Sequence, residues 1–275
     1  MSAHLLVRQP GVHTTVQDRG RFGWQAQGVP VSGALDGEML RLANALVGNP
    51  PWEAAFEIVH VGPALEVETA SVRVALASFG STLVVEGDVA RTIPSWRSVT
   101  LKRGQRIVVK GTGEAVCAYL AVEGGFALPP VLGSLSTYVR GKFGGFEGRA
   151  LGPGDRIPLR REQATERAEM CLSDPPRPEA GPLRVVPGPQ LDHFKPEALD
   201  ILGNSTYTVG RNSDRMGLRL EGPELPHLHG HDILSDGIAT GALQVPGDRR
   251  PVLLIAVRQT AGGYPKIGAV CTADL

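Results

Sequence analysis

The stretch SDGIATGALQVPGDRRPVLLIAVRQTAGGYPK, residues 235–266, sets the pattern for the fold of this chain. Two apolar runs in it, Ala242–Val245 and Val252–Val257, have strand character and are joined by a Pro-Gly-Asp turn. A polar step, Arg258-Gln259-Thr260, and a glycine pair then lead to Tyr264-Pro265-Lys266. Strands of this type place polar side chains at their ends, where rigid neighbours can hold a site in position. The stretch therefore predicts a hairpin that carries a functional site.

Short apolar runs recur upstream at intervals of about ten residues, separated by glycine-containing turns. They are His4–Arg8, Glu57–Val61, Ala64–Glu68, Val72–Ala77, Thr82–Val85, Ser98–Leu101, Arg106–Lys110 and Ala115–Val122. Glycine (35) and proline (22) are abundant, whereas long helical patterns are scarce. This combination predicts a mostly β fold, a barrel or a sandwich.

Two helices interrupt the strand pattern. Asp36 is a candidate N-cap for a helix over Gly37–Val47, whose apolar residues recur on one face. A second helix is predicted from about Lys195 to Leu202, with Pro196 in its first turn and Gly203 at its end.

The length of 275 residues suits one large domain or two of ordinary size. The clearest boundary is Arg160–Pro182, which is rich in charge and proline, and it predicts domains at 1–165 and 180–275. Cys117, Cys171 and Cys271 lack CxxC spacing, and we interpret Cys117 and Cys271 as inert core thiols.

The charge balance excludes the strongest reasons to expect nucleic acid or acidic lipid as partners, because Lys+Arg and Asp+Glu both number 28. Met1–Pro10 lacks the basic and apolar regions of a secretion signal. The longest apolar run, Val252–Val257, is too short to cross a bilayer. We expect a cytoplasmic protein.

Four polar clusters are candidates for chemistry. The first, Thr15–Gly20 with Gly28–Asp36, offers Ser32, Gly33 and Asp36 to a ligand, or is a turn that leads to a capped helix. The second cluster consists of Gly124-Gly125, Gly133–Tyr138 and Phe143–Gly145. Its consecutive glycines and hydroxyls could bind an anion, or they form ordinary barrel turns.

The third cluster is Arg211–Arg215 with Asp236 downstream. Arg215 could bind a carboxylate, and Asp214 or Asp236 could transfer a proton. Ordinary surface ion pairs produce the same sequence pattern. The fourth is the tail, whose donors could stabilise an oxyanion or simply complete a hairpin. Its members are Gln244, Arg258, Gln259, Thr260, Gly262, Gly263, Tyr264 and Lys266.

Two further motifs bear on cofactors. His227, His229 and His231 would share one face of a strand, but no further ligand stands at a convincing spacing, and we expect no metal. The sequence has no GxxxxGK[ST] run, which excludes a P-loop nucleotide site.

Eight motifs in order together resemble one family, known as the C subunit of bacterial ATP-dependent 5-oxoprolinase, as KipA, or as allophanate hydrolase subunit 2. They are TVQDRGRFGWQAQGVPVSGALD, RLANALVGNP, YLAVEGGF, LGSLSTY, FGGFEGRALGPGD, SDRMGLRLEGPEL, SDGIATGALQVP and QTAGGYPKI. The same module resembles part of the carboxyltransferase region of urea carboxylase. The match extends from about Val7 to Leu275.

The resemblance implies a cyclophilin-like β-barrel architecture in two halves. It also implies two partners from the 5-oxoprolinase complex, the KipI-like B subunit together with the A subunit. With these partners the chain would open 5-oxoproline to glutamate at the expense of ATP. A biotin-dependent carboxyltransferase and a KipA-like regulator that binds a kinase inhibitor are the alternatives.

The resemblance also marks residues. Catalytic roles fall on Asp214, Asp236 and Lys266. Substrate-binding roles fall on Ser32, Gly33, Asp36, Arg215, Gln244, Gln259, Gly262, Gly263 and Tyr264. Relatives carry Asp where this chain has Val257 and Thr where it has Ala261, and they continue beyond Leu275. The change at Val257 removes an acidic group from that strand end.

Overall fold

The computed structural model describes residues 3–87, 89–113, 115–177 and 181–275. The chain forms two compact units, Met1–Arg21 with Ser32–Pro178 and Phe22–Val31 with Glu179–Leu275. The domain bounds 1–165 and 180–275 stay a prediction. The units differ from those bounds because 22–31 groups with the second unit and because residues after 165 pack on the first, where Arg73 Nη2 donates to Arg167 O at 2.9 Å.

Antiparallel strands form two open sheets in the first unit. In chain order they are β1 (His4–Gln9), β2 (His13–Gln17), β3 (Ala55–Val59), β4 (Ala64–Val67), β5 (Ser71–Ala77), β6 (Thr82–Glu86), β7 (Arg91–Pro94), β8 (Arg97–Lys102), β9 (Arg106–Val109), β10 (Cys117–Val122) and β11 (Arg156–Pro158). One sheet has the order β11-β1-β4-β9-β6-β7 and the other β2-β3-β10-β5-β8. The prediction of a mostly β fold is confirmed, although the sheets of the described residues do not close into barrels.

Strand β10 shows why the first unit has more than two layers. Successive side chains of a strand point to opposite faces. Ala118, Leu120 and Val122 therefore enter the core that both sheets share, whereas Tyr119 and its neighbours on the other face pack with helix α1 (Gly37–Leu46). Every residue of β10 is buried, because each face has its own cover.

The capped helix α1 is confirmed. Asp36 Oδ1 accepts a hydrogen bond from Met39 N at 2.9 Å, and the helix ends one residue before the predicted Val47. Helix α2 (Ala198–Asn204) differs more from its predicted range of about Lys195 to Leu202. It begins after a turn in which Ala198 N donates to Lys195 O, and it continues through Gly203. In the described part of the chain, no helix is long and apolar enough to span a membrane.

The second unit contains one larger sheet and a two-stranded one. Its strands are β12 (Val185–Pro187), β13 (Thr208–Val209), β14 (Gly217–Glu221), β15 (Asp236–Gly237), β16 (Ala242–Gln244), β17 (Val252–Leu254), β18 (Ala261–Gly262) and β19 (Lys266–Val270). The larger sheet has the order β12-β19-β16-β17-β14-β13, and β15 pairs with β18. Helix α2 packs on an apolar cluster of the larger sheet that includes Leu243, Leu253 and Ile267.

The predicted hairpin is present as β16 and β17, with Leu243 opposite Leu253. The second run is shorter than predicted. Strand β17 ends at Leu254, because the chain then turns and Arg258 N donates to Ile255 O at 3.1 Å.

A buried hydrogen-bonded pair fixes the start of α1. Glu57 is fully buried on β3, and its Oε2 accepts from the Tyr119 hydroxyl at 2.6 Å and from Leu35 N at 2.8 Å. The same hydroxyl accepts from Asp36 N at 3.0 Å. Burial raises the pKa of Tyr119 well above its ordinary value, so the hydroxyl keeps its proton for Glu57.

We predict that Tyr119→Phe destabilises the first unit by about 1–3 kcal/mol, because the buried Glu57 loses one of its donors and the partly buried N–H of Asp36 loses its acceptor. Urea unfolding followed by tryptophan fluorescence measures the change. The matched control is Tyr138→Phe, in which a half-buried ring packs against Phe143; it should change stability by no more than about 0.5 kcal/mol. Equal effects of the two substitutions would contradict the assigned role of the Tyr119 hydroxyl.

Candidate functional site

A buried lysine and a half-exposed aspartate form the centre of the candidate site in the second unit. Lys266 is the first residue of β19 and is only 5% exposed. Its Nζ lies 3.1 Å from Oδ2 of Asp236 on β15. A buried ammonium is costly unless it is paired, so this contact satisfies a strong requirement.

Asp236 is held as a carboxylate. The hydrogen bond from Lys266 is the largest cause that lowers its pKa below the ordinary value, and the Gly237 N–H and the Gln190 side chain add to the effect. A carboxylate with a lowered pKa is a weak base at neutral pH. The geometry therefore suits Asp236 to binding the lysine and orienting a polar ligand better than to accepting a proton.

A pair of glutamines supports the turn that precedes Lys266. Gln244 is buried, and its Nε2 donates to Tyr264 O at 3.1 Å. Gln259 Nε2 donates to Gln244 Oε1 at 3.3 Å. A Cβ added at Gly262 would lie 2.7 Å from Gln244 Nε2, so a side chain at this position would require the Gln244 amide to move. The predicted tail residues Gln244, Gln259, Gly262 and Tyr264 are thus brought together around Lys266.

The three histidines of HLHGH do not lie on a strand, so they do not share a strand face. His227 packs on Phe194 and bonds Val245 O through Nε2 at 3.2 Å. His231 lies between His227 and Tyr264, with ring centroids 6.2 Å from each. Within the described residues, no group of three or more His, Cys, Asp or Glu side chains could hold a metal ion.

Asp214 and Arg215 lie in the turn before β14. Asp214 Oδ1 accepts from Met216 N at 2.8 Å and from Gly217 N at 3.4 Å, so its hydrogen bonds close its own turn. Burial lowers the pKa of the Arg215 guanidinium to about 10. Val257 is buried, and its N–H donates to Arg215 O at 2.9 Å. Of the two predicted acidic residues, Asp236 is the one that binds Lys266.

The remaining predicted ligand residues belong to the first unit. Ser32 is buried with a φ of 59°, a left-handed conformation that costs free energy for a residue other than glycine. Gly33 follows with a φ of 88°, and a Cβ there would lie 2.7 Å from Arg19 O. Asp36 caps helix α1. These three residues therefore form a constrained bend that leads into a capped helix.

Sequence reasoning missed Arg21, whose side chain holds this bend, and gave no role to Asp18 within the first cluster. Arg21 is 1% exposed, and its Nη1 donates to Ser32 Oγ at 3.0 Å. It also donates to Ser136 O and lies over the ring of Phe143 at 4.9 Å. Asp18 accepts from the Ser134 and Ser136 hydroxyls at 2.6 and 2.5 Å. Hydrogen bonds thus link the first polar cluster to Ser134 and Ser136 of the second.

A family model described as the carboxyltransferase domain, subdomain A and B, matches residues 27–275. The chain belongs to this carboxyltransferase domain family. It is 36% identical over 271 residues to the C subunit of 5-oxoprolinase from Escherichia coli (strain K12), covering 98% of this chain and 86% of the relative. The family resemblance noted in the sequence is therefore confirmed.

Longer proteins contain the same module. Urea amidolyase of Saccharomyces cerevisiae is 31% identical over 295 residues, which is 97% of this chain and 15% of the relative. The crystal structure of TTHA0988 superposes with a TM-score of 0.87 at 36% identity. That match covers 99% of this chain and 52% of the other, so the chain spans about half the length of that protein.

We predict that Lys266→Met raises the pKa of Asp236 toward its ordinary value, because the largest cause of the lowering is removed. Carboxyl-carbon NMR of the folded chain measures both pKa values. Because the folded pKa is lowered, the ion pair stabilises the chain above about pH 4, and this stabilisation is lost as the pH falls through the folded pKa.

The matched control is Lys195→Met, which removes an exposed lysine of the same unit. Asp274, whose pKa is lowered to about 2 by Arg184, serves as an internal reference in the same spectra. An Asp236 pKa that is identical in the wild type and in Lys266→Met would show that the two side chains are not paired in solution.

Proposed function

We propose that this chain is the C subunit of an ATP-dependent 5-oxoprolinase, which hydrolyses 5-oxoproline to glutamate together with its A and B subunits. The observation that carries the proposal is the 36% identity, over 98% of the chain, to the Escherichia coli protein that is named as the C subunit of 5-oxoprolinase. That name supports an assembly of several chains. We expect no activity from this chain alone.

The proposed reaction adds the oxygen of water to the lactam carbonyl carbon and breaks the carbon–nitrogen bond of the ring. The ring nitrogen gains a proton and becomes the amine of glutamate, while the complex hydrolyses ATP to ADP and phosphate. Negative charge develops on the carbonyl oxygen when water adds, and donors aimed at that oxygen lower the barrier.

We assign substrate binding to residues around Lys266. Lys266 or Arg215 binds the substrate carboxylate, and the backbone N–H groups of Gly262 and Gly263 face the carbonyl oxygen of the lactam. Asp236 orients the water and keeps a negative charge beside Lys266, and Asp214 holds the turn that carries Arg215. Gln244 and Gln259 brace the Tyr264 turn, as their mutual hydrogen bond supports.

The proposal assigns ATP to the complex and to no residue of this chain. The chain has no GxxxxGK[ST] run.

A second candidate function is carboxyl transfer from a biotin carrier. It is favoured by the description of the matching family as a carboxyltransferase domain and by the 31% identity to urea amidolyase. The chain has no Met-Lys-Met biotin acceptor sequence, so a separate carrier would have to deliver the carboxyl group.

We predict that Lys266→Ala lowers kcat/KM of the complex reconstituted from the A and B subunits and this chain by about 100-fold or more, because the substrate carboxylate loses the ammonium that we assign to it and Asp236 loses its partner. ATP-dependent glutamate formation from 5-oxoproline is the measurement. Lys195→Ala is the matched control and should retain full activity. Undiminished glutamate formation by the A and B subunits without this chain would contradict the proposal.

The alternatives have their own readouts in the same preparation. Discharge of a carboxylated biotin carrier by the complex, without glutamate formation, would favour carboxyl transfer. Tight binding to the B subunit that survives Lys266→Ala and Asp236→Asn, again without turnover, would favour a regulatory protein.

A further inference from the structure

The segment Pro187-Gly188-Pro189-Gln190 forms a clasp over the start of β19. Pro187 lies opposite Gly268 in the β12–β19 ladder, and Gly188 N donates to Ile267 O at 2.9 Å. Gln190 Oε1 then accepts from Lys266 N at 3.2 Å. Three successive contacts thus follow β19 back to its first residue, the buried lysine.

Gly188 allows the clasp to lie this close. A Cβ at position 188 would be 2.3 Å from Lys266 O and 3.0 Å from Gly268 N, both of which are backbone atoms. Backbone cannot move aside as the end of a flexible side chain can. The position therefore requires glycine. The close approach of this segment to β19 places Gln190 within hydrogen-bond distance of Lys266 N.

The orientation of the Gln190 amide is determined by its partners. A backbone N–H can only donate, so the atom that faces Lys266 N must be the carbonyl oxygen of the side chain. The amide nitrogen then faces Asp236 Oδ2 at 3.2 Å. Lys266 Nζ approaches the same carboxylate oxygen at 3.1 Å. One oxygen of Asp236 therefore receives both a charged and a neutral donor.

We propose that Gln190 is a positioning residue for the Asp236–Lys266 pair, a neutral donor that fixes the carboxylate of Asp236 without cancelling its charge. Its catalytic meaning rests on the proposed 5-oxoprolinase function, whereas the positioning of Asp236 does not. Gln190 touches backbone and Asp236 and acts on the substrate through them.

The variant Gln190→Glu tests the role of the neutral donor. It keeps the acceptor for Lys266 N but places a second carboxylate beside Asp236, and two adjacent carboxylates share a proton with a raised pKa. At about pH 8 we expect kcat of the reconstituted complex to fall about tenfold or more with a smaller change in KM. As the pH falls toward the pKa of the carboxylate pair, the shared proton restores the hydrogen bond, and the loss relative to wild type should shrink.

Two companion variants separate positioning from a general structural effect. Gln190→Met removes donor and acceptor, and its loss of kcat should be the same at every pH. Gln105→Glu is the matched control, because Gln105 Oε1 likewise accepts from a backbone N–H, that of Lys102, at 2.7 Å. It should leave kcat unchanged. A loss in Gln190→Glu that does not depend on pH would overturn the proposal.

Carboxyl-carbon NMR of the isolated 275-residue chain tests the positioning without any activity assay. Gln190→Glu should raise the pH at which Asp236 titrates by about one unit or more. An unchanged Asp236 titration in both Gln190→Glu and Gln190→Met would overturn the proposal, whatever the assay shows. If the titration shifts but the wild-type complex forms no glutamate, the positioning stands and the proposed function fails.

Discussion

The candidate site of the second unit depends on the ion pair between Lys266, whose side chain is buried, and the more exposed carboxylate of Asp236. Leaving a buried ammonium unpaired in an apolar environment costs several kcal/mol, so its surroundings must supply an opposite charge and hydrogen bonds. The partner comes from β15, where Asp236 lies opposite Gly262 of β18. The register of this small sheet therefore helps to set the position of Asp236 beside Lys266.

Close backbone approach is the second constraint, and it acts at Gly188, which brings the clasp against the backbone of Lys266. At Gly262 the turn approaches the side-chain amide of Gln244. The ladder between β16 and β19 shifts register between Leu243 and Gln244, and Gln244 then lies opposite Lys266. A side chain at position 188 would displace the backbone of Lys266, whereas one at position 262 would require the Gln244 amide to move.

Local patterns predicted the elements whose partners are near in sequence. The hairpin of β16 and β17 and the Asp36 cap depend on residues within a few positions, and both were found. The links that hold the polar clusters could not be predicted in this way. Asp18 meets Ser134 and Ser136 more than a hundred residues away, and no periodicity marks such a pairing. Gln190 was missed for the same reason, since its partner Asp236 lies 46 residues downstream.

The electrostatics of Asp236 bear on how the proposed chemistry is divided between chains. Opening a lactam ring with water needs a group that accepts a proton from the water and one that returns a proton to nitrogen. Asp236 receives donors from Lys266, Gln190 and Gly237, and its lowered pKa leaves it ionised but weakly basic. The Asp214 carboxylate accepts a hydrogen bond from Met216 N within its own turn. The acidic residues that the sequence offers for proton transfer are thus committed to holding structure and charge. We therefore expect the proton acceptor of the proposed reaction to come from another chain of the complex, and the Lys266–Asp236 pair to bind and orient what that chain attacks.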